Sequence, residues 1–182
     1  MRTVLPYILL AWVGSAMEVA LAEPVVTAET IRVEHVRIVS SKTFAQVQAA
    51  LESQVPQLDP AVFTALYDGD VKRVQELEHG APLFIFLKRD HGALLQVQGA
   101  RRHALQYDIG NPLTASRMTV HQLPAALYAP LRVVLYENAD GGATFEYDKP
   151  STLFGQFGDP NVEKVARELD TELSTALRHA AE

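Results

Sequence analysis

Apolar positions recur along the chain with more than one spacing, and each spacing marks a different kind of element. Phe44, Val47, Leu51 and Val55 fall on one face of a helix, behind Ser41 and Thr43, whose hydroxyls can cap the exposed amides of a first helical turn; Pro56 ends the run. Upstream, Ile31 to Val39 reads as a strand. Its apolar phase changes from Ile31 and Val33 to Val36 and Ile38 around Glu34-His35, which marks a bulge or a strand end. Pro60 to Glu78 reads as two shorter helices broken at Asp68-Gly69, the second with Val71, Val74 and Leu77 on one face.

From Pro82 the period switches. Leu83 to Leu87 is short, continuously apolar and aromatic, as a buried strand is. Asp90-His91-Gly92 supplies turn chemistry, Ala93 to Gln98 is expected to return antiparallel, and a further strand follows over His103 to Ile109, so the three runs predict a meander. Gly110-Asn111-Pro112 then starts a helix reaching about His121, with Asn111 as cap and Pro112 where no amide donor is needed.

The last hairpin carries a register. Leu131 to Asn138 and Gly142 to Asp148 flank Ala139-Asp140-Gly141, suited to a three-residue loop with Gly141 left-handed. That loop sets Leu135 opposite Phe145 and Val133 opposite Tyr147 on one face. On the other it sets Tyr136 opposite Thr144 and Arg132 opposite Asp148, which predicts an Arg132–Asp148 ion pair. Finally Asp159-Pro160 opens a helix with Val162, Val165, Ala166, Leu169, Leu173 and Leu177 in one stripe that should cover a face of the sheet. These patterns predict a single α+β domain over residues 31–182, with an antiparallel sheet of about five strands and a long C-terminal helix.

Composition narrows the classes. The chain has 182 residues, 48% hydrophobic and 21% charged, which excludes a disordered acidic tail. It has no cysteine, so no disulfide framework, iron–sulfur cluster or thiol nucleophile is open to it. The net charge of −6 argues against binding nucleic acid or anionic lipid. Arg2, the apolar run Val4 to Val13, the small residues that follow and Ala20-Leu21-Ala22 have the layout of a secretory signal peptide cut after Ala22, which predicts a periplasmic protein. An uncleaved inner-membrane anchor is the rival reading, although the run is short of the roughly 20 residues that span a bilayer. Residues 23–30 would then be a linker, and no membrane span remains after processing.

The runs DHGALL (residues 90–95), QYDIGNPLTA (106–115), LYAPLRVVLYE (127–137) and YDKPS (147–151), in that order and followed by the trailing helix, resemble the bacterial and archaeal family called domain of unknown function 302, over about Leu83 to Leu177. The resemblance implies a small α+β domain with helices packed on an antiparallel sheet, frequent self-association and no established activity.

Candidate chemistry has competing readings. Asn111 either presents its amide to a pocket at a helix start or merely caps a strand-to-helix junction. Arg132 with Asp148, near Tyr147 and Tyr107, either fixes a carboxylate or phosphate or is an ordinary cross-strand pair. Asp90-His91 invites acid–base chemistry, against a plain turn. The six histidines, His35, His79, His91, His103, His121 and His179, have no helical ligand spacing, so no metal is expected, and no nucleotide or other cofactor motif is present. Phe154, Phe157 and Tyr128 either anchor a partner or close the core.

The sequence therefore supports a homodimeric periplasmic binding or accessory module, with Tyr107, Asn111, Arg132, Tyr147 and Asp148 holding a small polar or anionic ligand or a protein partner. The alternative is a small-molecule hydrolase or isomerase using Asp90, His91 or Asp148 as acid or base, which requires His91 to reach the Arg132–Asp148 region. A purely scaffolding dimer is the third reading.

Overall fold

A computed structural model describes residues 23–182, so the predicted leader lies outside the described residues. Ile31–Glu182 form one compact unit. Its sheet has five strands, β1 (His35–Ser40), β2 (Phe84–Asp90), β3 (Ala104–Gly110), β4 (Leu131–Glu137) and β5 (Ala143–Asp148), in the order β1-β5-β4-β3-β2, with every neighbouring pair antiparallel. Helices α1 (Phe44–Gln54) and α7 (Pro160–Ala181) pack against each other and over one face of this sheet.

Local chemistry explains most of the boundaries. Thr43 and Gln46 form a reciprocal capping box at the start of α1, satisfying two amides that a helix otherwise leaves open. The apolar phase change at Glu34-His35 is where β1 begins. The Asp68-Gly69 break separates α2 (Ala61–Tyr67) from α3 (Val71–Glu78), which Asp70 caps. On α3 the expected face is only partly used: Val74 is buried and Leu77 packs against it, but Val71 points outward. This helix pair, with Phe84 and Phe86, makes a small second core at one end of the sheet.

The predicted register of the β4–β5 hairpin is the observed one, with Leu135 opposite Phe145 and Val133 opposite Tyr147, and Gly141 is left-handed at φ 80°. The stripe of α7 is buried throughout, beginning behind the Asp159 cap, and meets Val47 and Leu51 of α1 above Leu135 and Phe145. Phe154, the last residue of α6 (Pro150–Phe154), is fully buried, with the Tyr128 ring edge-on to it at 6.0 Å and Phe157 packed nearby, so these aromatics close the core.

One element differs from the sequence reading. Ala93 to Gln98 is not a strand: α4 (His91–Leu95) and a 3-10 turn over Gln96–Gln98 occupy that stretch, so β2 and β3 are joined by a helical connection and the expected meander loses its middle run. The physical reason lies in Asp90 and Gly92. The Asp90 carboxylate accepts the Ala93 amide at 2.9 Å and so starts a helix, where a hairpin turn was expected. A β-carbon on Gly92 would collide with the Arg102 carbonyl oxygen, so only glycine lets α4 lie against the entry to β3.

Candidate functional site

The strand registers sort the candidate residues onto two opposite faces. Lys88, Tyr107, Val133, Tyr147 and Val36 form one cross-strand row beneath the helices, and Asp108, Arg132, Asp148 and His35 form the adjacent row on the face the two long helices leave uncovered. Tyr107 and Tyr147 therefore do not share a site with Arg132 and Asp148. Tyr107 is fully buried and its hydroxyl donates to Glu52 of α1 at 2.8 Å; Glu52 also accepts from Lys88 at 2.9 Å and Gln48 at 3.1 Å. Burial, and then the Glu52 carboxylate, push the Tyr107 phenol well above its usual range, so it acts as a neutral donor. Burial raises Tyr147 as well.

Asn111 is the cap of α5 (Pro112–Thr119), accepting the Thr114 amide at 2.9 Å, and borders an apolar cavity of about 80 Å³ lined by Phe86, Ile109, Met118, Phe154 and Leu169. Asp90 caps α4, and His91 beside it is exposed, with no side-chain hydrogen bond among the described residues. Asp90 ends β2 and Asp148 ends β5, with β3 and β4 between them. Strand spacing alone sets these strands roughly 14 Å apart, so His91 and the Arg132–Asp148 region are not brought together.

The uncovered face is a charged network. The expected Arg132–Asp148 pair does not form; Asp148 instead meets His35, directly opposite it on β1, with Nδ1 2.8 Å from Oδ1. The other ring nitrogen of His35 lies 2.9 Å from Glu146 Oε2. Glu146 Oε1 accepts from Arg37 Nε at 2.7 Å and from the Tyr136 hydroxyl at 2.6 Å. A neutral imidazole has only one N–H, so carboxylates at both nitrogens favour the doubly protonated ring: Asp148 first, then Glu146, raise His35 above 6.5. Reciprocally, Tyr136, His35 and Arg37 outweigh partial burial and draw Glu146 down to about 2.

On the other side of β4, Arg89 pairs with Asp108 at 3.0 Å. Arg132 lies between the two groups, exposed and without an ion pair or side-chain hydrogen bond among the described residues. In the sequence His35 enters only as one of six histidines weighed for metal, and Arg37, Tyr136 and Glu146 are given no part in a site. A signal was present, however: cations two apart on one strand and anions two apart on another are complementary when those strands pair.

Among the described residues, no group of three or more histidine, aspartate or glutamate side chains is arranged to hold a metal ion, and no helix is long and apolar enough to cross a membrane.

The family described as "Domain of unknown function DUF302" matches residues 67–180. The chain belongs to this family. A DUF302 fold is also found in a crystal structure described as an uncharacterised conserved protein DUF302 from Bacillus stearothermophilus. It is 18% identical, with a TM-score of 0.59, over 80% of this chain and 97% of that one. No curated protein matches the chain. The DUF302 match begins at Tyr67, the last residue of α2, and so takes in α3 as well as the stretch from Leu83 that carries the quoted motifs.

Proposed function

We propose that this DUF302 protein is an exported, periplasmic accessory module that works as a homodimer and docks a protein partner on its uncovered sheet face. The observation that carries this reading is the contrast between the two edges of the sheet. The β2 edge is protected, because Leu58 donates to the Ile85 carbonyl and Ile85 donates to Pro56, both at 2.9 Å. No strand lies outside β1 among the described residues, and Val39 on it is 65% exposed. An open edge of this kind invites pairing with another strand, and a second copy is the partner always present at equal concentration.

Pairing β1 with β1 of a second copy would extend the uncovered face across both subunits. Such a surface is flat and rich in paired charge, which suits another protein better than a small substrate, because small-molecule sites are concave. The acid–base reading loses support from the separation of His91 from Asp148 and from the engagement of Asp90 in a helix cap. Light scattering tests the proposal on the processed chain. The wild type is expected at twice the chain mass and Val39→Lys, which puts a charge on the open edge, at the single-chain mass with an unchanged circular dichroism spectrum. A monomeric wild type, or a dimer that Val39→Lys leaves intact, contradicts it.

A further inference from the structure

Where β2 passes into α4, the molecule has a hollow that the sheet-face reading does not use. Its volume is about 500 Å³, and its charged walls are Asp90, Arg101, Arg102 and Glu137, with His103 between them. A second hollow of about 290 Å³ adjoins it, sharing Asp90 and His103 and reaching Phe44 and Lys88.

The walls are held in place. Gly92 lets α4 lie directly on the Arg102 backbone, and the Asp90 carboxylate fixes the first turn of α4. Glu137 donates its amide to the His103 carbonyl at 3.0 Å, and Arg102 donates to the Glu137 carbonyl at 3.1 Å. The His103 ring stacks on Phe44, centroids 5.1 Å apart and planes 22° from parallel.

The charges, by contrast, are left open. Neither Arg101 nor the Glu137 carboxylate makes an ion pair or side-chain hydrogen bond among the described residues, and Asp90 uses only one carboxylate oxygen on Ala93. Elsewhere on this sheet the charged side chains are mostly matched, as in Lys88–Glu52, Arg89–Asp108 and Arg37–Glu146. Two guanidinium groups and two carboxylates therefore share one concave space without neutralising each other. A lone anion would meet the carboxylates there, and a lone cation the arginines. A ligand carrying both charges satisfies both sets.

We propose that this hollow binds a small zwitterion of the amino-acid type. Arg101 and Arg102 take its carboxylate, Asp90 and Glu137 take its ammonium group, and the stacked His103–Phe44 pair borders its side chain. The site is independent of the sheet face and of dimerisation.

The test is ¹H–¹⁵N NMR titration of the processed protein with glycine, L-glutamate and L-phenylalanine, alongside N-acetylglycine, which keeps only the carboxylate, and glycine methyl ester, which keeps only the ammonium group. At least one amino acid is expected to give saturable shifts at the amides of Gly92, Ala93, Arg102 and His103. Glycine's two half-ligands should bind about tenfold or more weakly than the best amino acid, as should the best amino acid to Arg101→Ala and Glu137→Gln. Arg132→Ala, outside the hollow, should bind as the wild type does, and each variant's spectrum reports that it is folded. No saturable shift with any of the three amino acids overturns the proposal. So does N-acetylglycine or the methyl ester binding as tightly as the amino acids, or undiminished binding by both hollow variants.

Discussion

His35 on β1 and Asp148 on β5 sit directly opposite each other, 113 residues apart in sequence, with imidazole Nδ1 2.8 Å from the carboxylate. The pair joins the edge strand to the rest of the charged face, and Glu146 on the other ring nitrogen makes the histidine a bridge between two carboxylates. Replacing either carboxylate is expected to lower the His35 pKa towards 6.5, with Asp148→Asn lowering it more than Glu146→Gln because Asp148 contributes most to the shift. NMR titration of the His35 ring in the two variants measures this, and an unchanged midpoint in Asp148→Asn contradicts it.

The same network gives stability a pH dependence of known sign. His35 is raised when folded, so its contribution is complete below about 6.5 and is lost as pH rises through its folded value. Glu146 is depressed, so its contribution is complete above about 4.5 and is lost as pH falls towards 2. The network therefore supports the fold best between those limits. Both groups border solvent, so the effect belongs to the small class of partly exposed pairs. Urea unfolding at a series of pH values should show the difference between wild type and Glu146→Gln narrowing towards pH 3 and, more gently, above neutrality.

Under the helices, Tyr107→Phe removes one donor from Glu52 while leaving Lys88 and Gln48 in place. The expected loss is about 1 kcal/mol, the value of one hydrogen bond whose acceptor keeps other partners. Chemical denaturation measures it, and a loss several times larger would mean that Glu52 depends on the phenol alone.

Gly92→Ala should cost more, about 2–3 kcal/mol, because the added methyl group meets the Arg102 backbone, which cannot rotate away. A thermal melt unchanged from wild type would show that α4 shifts freely, and would also remove the rigid wall on which the zwitterion site relies.

The elements legible in the sequence were those set by neighbours in the chain. The register of β4–β5 follows from the three-residue loop Ala139-Asp140-Gly141, the α1 start from Thr43 and Gln46, and the buried face of α7 from its stripe. The stretch 93–98 misled because it is short: Asp90-His91-Gly92 has the composition of a turn, and only contact between Gly92 and Arg102 reveals that the glycine is there for close packing. The charged face was half legible. Arg132 and Asp148 do share it, but their expected bond is replaced by His35, because nothing local in the sequence says that β1 pairs with β5. Tyr107 and Tyr147 were drawn to the wrong side for a related reason: period-2 alternation puts residues 147 and 148 on opposite faces, yet both looked polar enough to belong to one site.

Export and dimerisation are read together by expressing the full-length gene in a bacterium, recovering the protein from the periplasm and measuring its denatured and native masses. The denatured mass is expected to be that of a chain beginning at Glu23, and the native mass twice that value. A chain that keeps residues 1–22, or a native mass equal to a single processed chain, contradicts it.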